Sequence, residues 1–245
     1  MNKEKQFVAT DEAKGKATQL RIFAALLWIG AIVAQIFAIR LVLQAANEGT
    51  NIANVWTIGL VVLDLILVLI GSMLWKKAAR LDPPSEKNKF LFVLQSQLGV
   101  IAALVAFLPL IILVLTNKKI DGKQKAIFGS IAGVALVIAG IGSYDFNPPS
   151  IEKYTEQINA QTDVIKELNN GVDLVYWTNS GNKYHLDTDC QHIREREQHS
   201  GTVKQAWEER KIGDSELCKT CERNAEKKLD LEEKQPNILD EVTEE

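Results

Sequence analysis

The chain has little cysteine: its 245 residues include only three, at positions 190, 218 and 221. Three cysteines that include a Cys-x2-Cys pair do not suggest a disulfide framework, and reduced thiols fit a cytosolic metal site better. The second half also lacks a basic surplus, because from Asp145 onward it has 13 Lys and Arg against 23 Asp and Glu. Nucleic-acid binding needs clustered cations that release counterions from phosphates, so we expect no nucleic-acid partner.

Apolar sequence, in contrast, is abundant in the first half, where it forms four long runs. They lie at residues 20–43, 55–75, 90–115 and 126–143. A transmembrane helix needs about 20 apolar residues, within a range of about 17–25. Trp56 and Trp75 bracket the second run, as indoles do at the two membrane interfaces. The sequence therefore predicts a transmembrane four-helix bundle over residues 20–144, after a polar N-terminal tail at residues 1–19.

The basic residues of the loops predict the orientation of the bundle. The N-terminal tail, counted to Arg21, and the second loop each hold five Lys or Arg, whereas Glu48 is the only full charge of the first loop. Lys and Arg favour the cytoplasmic side, which predicts a cytoplasmic N-terminus. The third loop holds four lysines on the opposite side and breaks this pattern. With four spans the C-terminus is cytoplasmic too, as in a multi-pass protein of a bacterial cytoplasmic membrane.

Three polar residues fall inside or near the edge of the predicted spans. Asp64 lies close to the midplane of the second run, and an intramembrane carboxylate is a functional candidate by default. Gln35 has a similar depth in the first run and can meet Asp64 across the first hairpin. Arg40 either snorkels to the outer interface or reaches toward Asp64. Two interpretations are open: a proton- or ion-sensitive site, as in a small transporter or ion-conducting protein, and one protonated Asp bonded to a neighbouring helix.

The last two runs carry one helix-packing signal and one helix-kinking residue. Gly129-x3-Gly133 in the fourth run has the small-residue spacing that lets helix backbones approach closely. This face is available for packing within the bundle or for a homodimer. Pro109 predicts a kink in the third run.

The segment 145–171 is predicted to form an amphipathic linker helix. Ser150 is a suitable N-cap, and Asn170-Gly171 is a suitable stop. The helix either pairs with a second copy or places its apolar stripe on the adjacent module or on the membrane surface. The heptad positions of the stripe are Ile151, Tyr154, Ile158, Gln161, Ile165 and Leu168.

The polar C-terminal region contains a complete set of metal-ligating residues. His185 is followed by Cys190, and after 27 intervening residues by the pair Cys218-x2-Cys221. Thiolates and imidazole suit Zn²⁺, and four protein ligands complete its tetrahedron. A closed tetrahedron leaves no position for a reacting water, so the sequence predicts structural Zn²⁺ and no enzymatic activity.

Two alternatives remain for this site. His192 lies close enough to Cys190 in sequence to replace His185 as the fourth ligand. A metalloenzyme would need an open metal position and a general base, for which Glu195 and Glu197 are nearby candidates. His199 is expected to be a solvated polar residue.

Around these ligands the sequence predicts a small α+β module at residues 172–224. The sequence predicts two short strands, at residues 174–178 and 183–186, on either side of the turn Asn179-Ser-Gly-Asn182. This pattern indicates a hairpin. Thr202 is placed to cap a helix that runs to about Lys211, with Trp207 on its apolar face. Cys221 is expected to open the final helix, whose charged end and acidic tail occupy residues 225–245. So small a core needs a metal cross-link.

The module resembles a small bacterial zinc module found at the C-termini of membrane proteins and of secreted or competence-type nucleases. The matching residues are Val175-Tyr-Trp-Thr-Asn-Ser-Gly-Asn-Lys-Tyr-His185-Leu-x3-Cys190-Gln-His-Ile, Ser200-Gly-Thr-Val-x2-Ala206 and Leu217-Cys-Lys-Thr-Cys221. It is similar to the zinc domain of Ada-type DNA repair proteins, and this resemblance implies the same four zinc ligands. The Ada-type site uses four cysteines, one of which accepts a methyl group. Here His185 takes one of those places and the surrounding residues are not basic, so neither alkyl transfer nor DNA binding carries over.

These observations predict a zinc-binding module that is anchored in the lipid bilayer and acts as an adaptor or sensor through a protein partner. The region from Leu174 to Arg223 holds nine acidic and eight basic residues, so it has no basic footprint. Trp177 or Trp207, if exposed, would be the kind of aromatic anchor that a partner surface uses. The alternatives are a small transporter or ion-conducting protein with a zinc-stapled regulatory domain, or a membrane-tethered nucleic-acid-binding or metalloenzyme module.

Overall fold

The computed structural model describes residues 6–181, 183–210 and 216–234, and the chain divides into two compact units. One unit is Asp11–Pro149, and the other combines Met1–Thr10 with Ser150–Glu245. The first unit contains α1 (Asp11–Glu48), α2 (Val55–Leu81), α3 (Lys89–Ser96), α4 (Leu98–Thr116) and α5 (Gly122–Ser143). The second contains α6 (Ile151–Leu168), β1 (Val175–Thr178), β2 (Lys183–Tyr184), β3 (Gln198–Gly201), α7 (Val203–Arg210), β4 (Glu216–Leu217) and α8 (Lys219–Lys234). The acidic tail and the turn residue Asn182 lie outside the described residues.

Four helices of the first unit, α1, α2, α4 and α5, are long and apolar enough to cross a membrane. The prediction of a four-span membrane protein with a small α+β region is therefore confirmed. The bounds differ from the apolar runs at two places. α1 begins already at Asp11 and has 38 residues, which corresponds to about 57 Å at the helical rise, well beyond a hydrocarbon core of about 30 Å. The third span begins only at Leu98.

The closest helix pair, α1 with α2, is packed through small side chains at seven-residue spacing. The buried stripe of α1 contains Ala17, Ala24, Ala31, Ala38 and Ala45. The buried residues of α2 include Thr57, Asp64, Gly71 and Ala78. A Cβ added at Gly71 would lie 2.6 Å from Nε1 of Trp28 and 3.3 Å from the carbonyl oxygen of Ala24. Such small residues let the two helix backbones approach closely.

Glycines other than those of the Gly129-x3-Gly133 motif make the close contacts of α4 and α5. The buried ridge of α5 is Phe128, Ala132, Ala135, Ala139 and Ser143. A Cβ at Gly133 would meet nothing within 4 Å, and one at Gly129 would only touch Leu115 at 3.6 Å. At Gly99 of α4, in contrast, a Cβ would lie 2.7 Å from the Ser72 hydroxyl oxygen. The motif is therefore not where these helices approach most closely, and its role in a homodimer stays a prediction.

The third apolar run is interrupted at Gln97, which ends α3 and precedes α4. The Gln97 side chain donates to the Asp145 carbonyl at 3.0 Å and accepts from the Asp145 N–H at 3.2 Å. Asp145 also forms an ion pair with Arg80 at 3.3 Å. These bonds compensate for the break in the helix, while α4 continues through Pro109.

In the second unit, α6 packs its apolar stripe on the other elements of the same unit. Ser150 caps its N-terminus by accepting from the Lys153 N–H, as the sequence predicts. Tyr154 contacts the Trp207 ring edge-on at a centroid distance of 5.4 Å. Gln161, the polar member of the stripe, accepts hydrogen bonds from the Tyr184 hydroxyl and the Trp207 indole N–H. The sequence left open whether this helix pairs with a second copy or packs on the adjacent module or the membrane surface. The structure contains the packing on the module.

The strands pair differently from the predicted hairpin. β1 pairs with β3 in an antiparallel ladder, and β2 pairs with β4 in a parallel one. Within the described residues, one antiparallel bridge, between Tyr176 and His185, joins the two strands of the predicted hairpin. The helix expected after Thr202 is α7, and Gln205 and Thr202 cap each other's backbone N–H groups at its start.

The N-terminal residues before α1 belong to the second unit. Phe7 is buried and packs edge-on against Tyr154 at 5.2 Å. The Phe7 N–H donates to the Thr155 hydroxyl at 3.0 Å, and the Val8 N–H donates to a Glu208 carboxylate oxygen at 3.1 Å. We call residues 6–10 the N-terminal strap. Part of the predicted polar tail is therefore a structural element of the unit that holds the metal ligands.

Candidate metal centre

His185 is positioned by the strands that flank it. Its N–H donates to the Tyr176 carbonyl at 2.7 Å, and its carbonyl accepts from the Tyr176 N–H at 2.8 Å. Cys190 follows in a turn whose backbone is held by a bond from the Cys190 N–H to the Asp187 carbonyl. The carbonyl of Cys190 accepts in turn from the Ile193 N–H at 2.8 Å. This turn folds Cys190 back toward the end of β2.

The two remaining cysteines come from the junction of β4 and α8. The Cys218 N–H donates to the Tyr184 carbonyl at 2.9 Å, which extends the β2–β4 pairing and sets Cys218 beside His185. α8 begins at Lys219, so Cys221 lies in its first turn, as the sequence predicts. The Glu222 N–H donates to the Cys218 carbonyl at 3.0 Å and continues the helical pattern.

The four side chains converge on one buried point. All four residues are buried, and their ligand atoms lie within 4.8 Å of one another. Nδ1 of His185 lies 3.3 Å from Sγ of Cys190 and 3.6 Å from Sγ of Cys221. A tetrahedron with Zn–S of about 2.3 Å and Zn–N of about 2.0 Å has N···S edges of about 3.5 Å. The arrangement can therefore hold a metal ion, with Nδ1 as the imidazole ligand atom.

Backbone amides supply the surroundings that thiolate ligands need. Burial raises the pKa of the Cys218 thiol, but hydrogen bonds from the N–H groups of Cys221 and Thr220 outweigh this and lower that pKa overall. The Leu186 N–H points at the sulfur of Cys221, whose pKa is nevertheless raised to about 12, chiefly by burial. N–H donors that point at sulfur stabilise a thiolate when a metal binds.

The imidazole of His185 is held in the neutral state that ligation requires. Burial, followed by the charges of His192 and Lys183, lowers the pKa of His185 to about 4. The ring therefore offers a free nitrogen lone pair at neutral pH without losing a proton.

The other candidate ligands and bases lie outside this cluster. His192 is exposed, its ring centroid 6.4 Å from that of His185, so His185 is the histidine that joins the three thiols. His199 stacks on Trp177, and its Nε2 is hydrogen-bonded to the side-chain oxygen Oδ1 of Asn179 at 2.7 Å. Glu195 and Glu197 are both exposed.

Within the first unit, the structure buries two of the three polar candidates. Asp64 and Gln35 are both buried, whereas Arg40 is exposed. Oδ1 of Asp64 and Nε2 of Gln35 each have no hydrogen-bond partner within the described residues. The hydrogen bond between Asp64 and Gln35, which their similar depth in the two helices suggested, is therefore not formed in this structure.

Several residues that build the centre carry no ligand signal in the sequence. Tyr184 and Leu217 bring His185 and Cys218 together, yet strands of two residues are too short to show periodicity. The N–H groups of Thr220 and Leu186 belong to the backbone, which nearly every residue type shares, so the sequence gives no indication of their role. The spacing Cys-x2-Cys at the start of a helix was the only usable sequence signal for the Thr220 amide.

Comparison with protein-family models, with curated proteins and with solved structures finds no match to this chain. The resemblance to Ada-type zinc domains thus receives no support beyond the cluster of His185 and three cysteines.

Proposed function

We propose that the protein is a membrane-anchored zinc-binding module that acts as an adaptor or sensor through protein–protein contacts. The observation that carries the proposal is the convergence of four buried protein donors on one point. Three thiols and one imidazole suit Zn²⁺ among the common divalent ions. Four protein ligands leave no position for water or substrate, so the metal serves as a cross-link.

A polar cavity beside the metal centre supports a partner-binding role. It encloses about 560 Å³, and Cys190 and Cys221 contribute to its lining. Its charged residues are Asp187, Asp189 and Lys228. Trp177 and Trp207 are buried, so neither is the exposed anchor considered from the sequence. The cavity therefore fits a polar segment of a partner protein better than an apolar one.

A photo-cross-linking residue placed at Lys228 of the full chain in native membranes tests this role. Lys227, its exposed neighbour outside the cavity lining, is the matched control. We expect a discrete protein adduct from position 228 that disappears when a chelator removes the metal. Position 227 should give no chelator-sensitive adduct. Equal adducts from both positions, or an adduct that persists in chelator, would contradict an adaptor role for the metal-supported cavity.

We further propose that both termini face the cytoplasm of a bacterial inner membrane, where thiolate ligands stay reduced. The basic tail and second loop support this orientation. Single cysteines introduced in a background without the native three provide the test: a membrane-impermeant reagent should label Asn51 but not Ser85. Labelling of Ser85 from outside would reverse the orientation.

Asp64 supports a second candidate, a small transporter or ion-conducting protein with a zinc-stapled regulatory domain. Its buried Oδ1 has no partner within the described residues, which is costly for a group that serves packing alone. Asp64→Asn should abolish proton or cation flux into vesicles while the protein stays folded. Flux that is undetectable in the wild type, or unchanged in the variant, would leave the adaptor role as the better account.

A further inference from the structure

A cavity in the first unit is lined by residues of α1, α2, α3 and α4 and of the segment that follows α2. It encloses about 480 Å³, and its lining includes the apolar side chains of Trp75, Ala79, Leu94 and Leu98. Arg21 and Asp82 are the charged members of this lining. Neither the metal centre nor the buried Asp64 contributes to it.

Arg21 is held in position within this cavity. Nη1 donates to Oδ2 of Asp82 at 2.8 Å, and Nη2 donates to the Asp82 carbonyl at 2.7 Å. The guanidinium carbon also lies 6.0 Å from the centroid of the Trp75 ring. A guanidinium has five N–H donors, so most of them are left for a further oxyanion. The Arg21 side chain is 32% exposed and therefore accessible.

The apolar parts of α1 and α2 predict that the cavity lies at the level of a membrane interface. Arg21 marks the start of the apolar part of α1, and Trp75 lies near the end of the apolar part of the antiparallel α2. α3 exposes apolar side chains at Phe90 and Val93, as a helix does when it lies in the interface plane. Exposed lysines surround this end of the unit at positions 77, 87 and 89.

We propose that this cavity binds an anionic phospholipid. The lipid phosphate accepts hydrogen bonds from the free N–H groups of Arg21, and an acyl chain lies against Leu94 and Leu98. Guanidinium and phosphate match in geometry and charge. The surrounding lysines select a headgroup of net negative charge over a zwitterionic one. α3 then serves as the wall that separates the bound lipid from the bulk bilayer.

Native mass spectrometry of the delipidated full chain provides the test. The protein is titrated with phosphatidylglycerol or phosphatidylcholine of identical acyl chains. We expect phosphatidylglycerol to bind preferentially, and Arg21→Gln to weaken its binding by about tenfold. Lys123→Gln removes one exposed positive charge at the start of α5, outside the cavity lining and apart from the three lysines named above. It is the matched control, with an expected loss below about threefold.

Arg21→Gln also breaks the ion pair with Asp82 and could therefore misfold the protein. A second variant that leaves this ion pair in place provides an independent test. Leu98→Trp fills the cavity while the ion pair stays intact, and we expect it to remove preferential binding. Glycerol 3-phosphate at matching concentration should not compete if the acyl chain is required. Equal binding of both lipids would overturn the proposal, as would competition by glycerol 3-phosphate or a Leu98→Trp variant that still selects phosphatidylglycerol.

Discussion

The two units of this chain differ in where their large and small side chains lie. In the membrane unit, α1 and α2 bury alanines and Gly71 between them, while Phe23, Leu26 and Phe37 of α1 are exposed. Phe107 of α4 and Phe128 of α5 are the large rings that this unit buries within its described residues. In the second unit the large rings of Trp177, Tyr184 and Trp207 are inside. Lipid is as apolar as leucine, so burying leucine between membrane helices gains little, and close backbone contact decides the packing. In water the burial of large rings supplies the driving force, and a metal cross-link at the cluster of His185 and three cysteines would stabilise so small a core.

The largest effect should come from removing one metal ligand. Cys218→Ser leaves three ligands, and we expect loss of the roughly one zinc ion per chain together with unfolding of the second unit, because metal binding there is folding free energy. The helices of the membrane unit should keep their protection. Metal analysis and hydrogen exchange of the full-length protein measure both effects. His199→Ala, in the same unit but outside the ligand cluster, should retain the metal, and zinc retained by Cys218→Ser would refute the four-ligand centre.

The N-terminal strap should be the next most sensitive feature of the second unit. Phe7→Ala removes a buried ring that packs on Tyr154, and we expect a loss of about 3 kcal/mol in the stability of this unit. Val8→Ala, at an exposed neighbouring position, is the control and should cost less than about 0.5 kcal/mol. Hydrogen exchange of the second unit at increasing denaturant concentration measures both. Equal stability of the two variants would mean that the strap contributes nothing to the unit.

In the membrane unit, adding a methyl group should distinguish glycines in close contact from those in open space. Gly71→Ala places a Cβ against Trp28 and the Ala24 carbonyl, and we expect a destabilisation of about 1–3 kcal/mol. Gly133→Ala meets nothing within 4 Å and should be neutral or stabilising, by up to about 1 kcal/mol. Thermal unfolding in detergent provides the comparison. If Gly133→Ala instead lowers stability and the oligomer dissociates, the Gly129-x3-Gly133 face forms a homodimer.

Zinc binding by the unit that contains the four candidate ligands should also depend on pH. A thiol whose pKa lies above the ambient pH must lose its proton when it binds zinc, and the Cys221 thiol, with its pKa near 12, is such a group. Lowering the pH from 8 to 6 should therefore weaken zinc binding, whereas His185 adds no competition until the pH approaches its pKa of about 4. Competition with a chelator at both pH values measures the change. An affinity that is independent of pH would show that no proton is displaced.

The sequence by itself determined the four apolar spans and the four residues that form the candidate metal centre. Hydropathy is a sum over neighbouring residues, so it identifies a membrane helix without knowledge of its partners. The ligands are identified by their chemical type, and the three cysteines leave little choice among donors. The N-cap at Ser150 and the start of α8 next to Cys221 are local signals of the same kind.

Tertiary structure alone decided which neighbours these local elements meet. The parallel pairing of β2 with β4 brings His185 to Cys218, although neither short strand has a pattern of its own. Gly71 and Gly99 make close contacts because of the helices opposite them, whereas Gly133, with the better motif, faces open space. The bonds between Gln97 and Asp145 compensate for a break in an apolar run that looked continuous. Each of these outcomes depends on groups distant in sequence, so local patterns could not predict them.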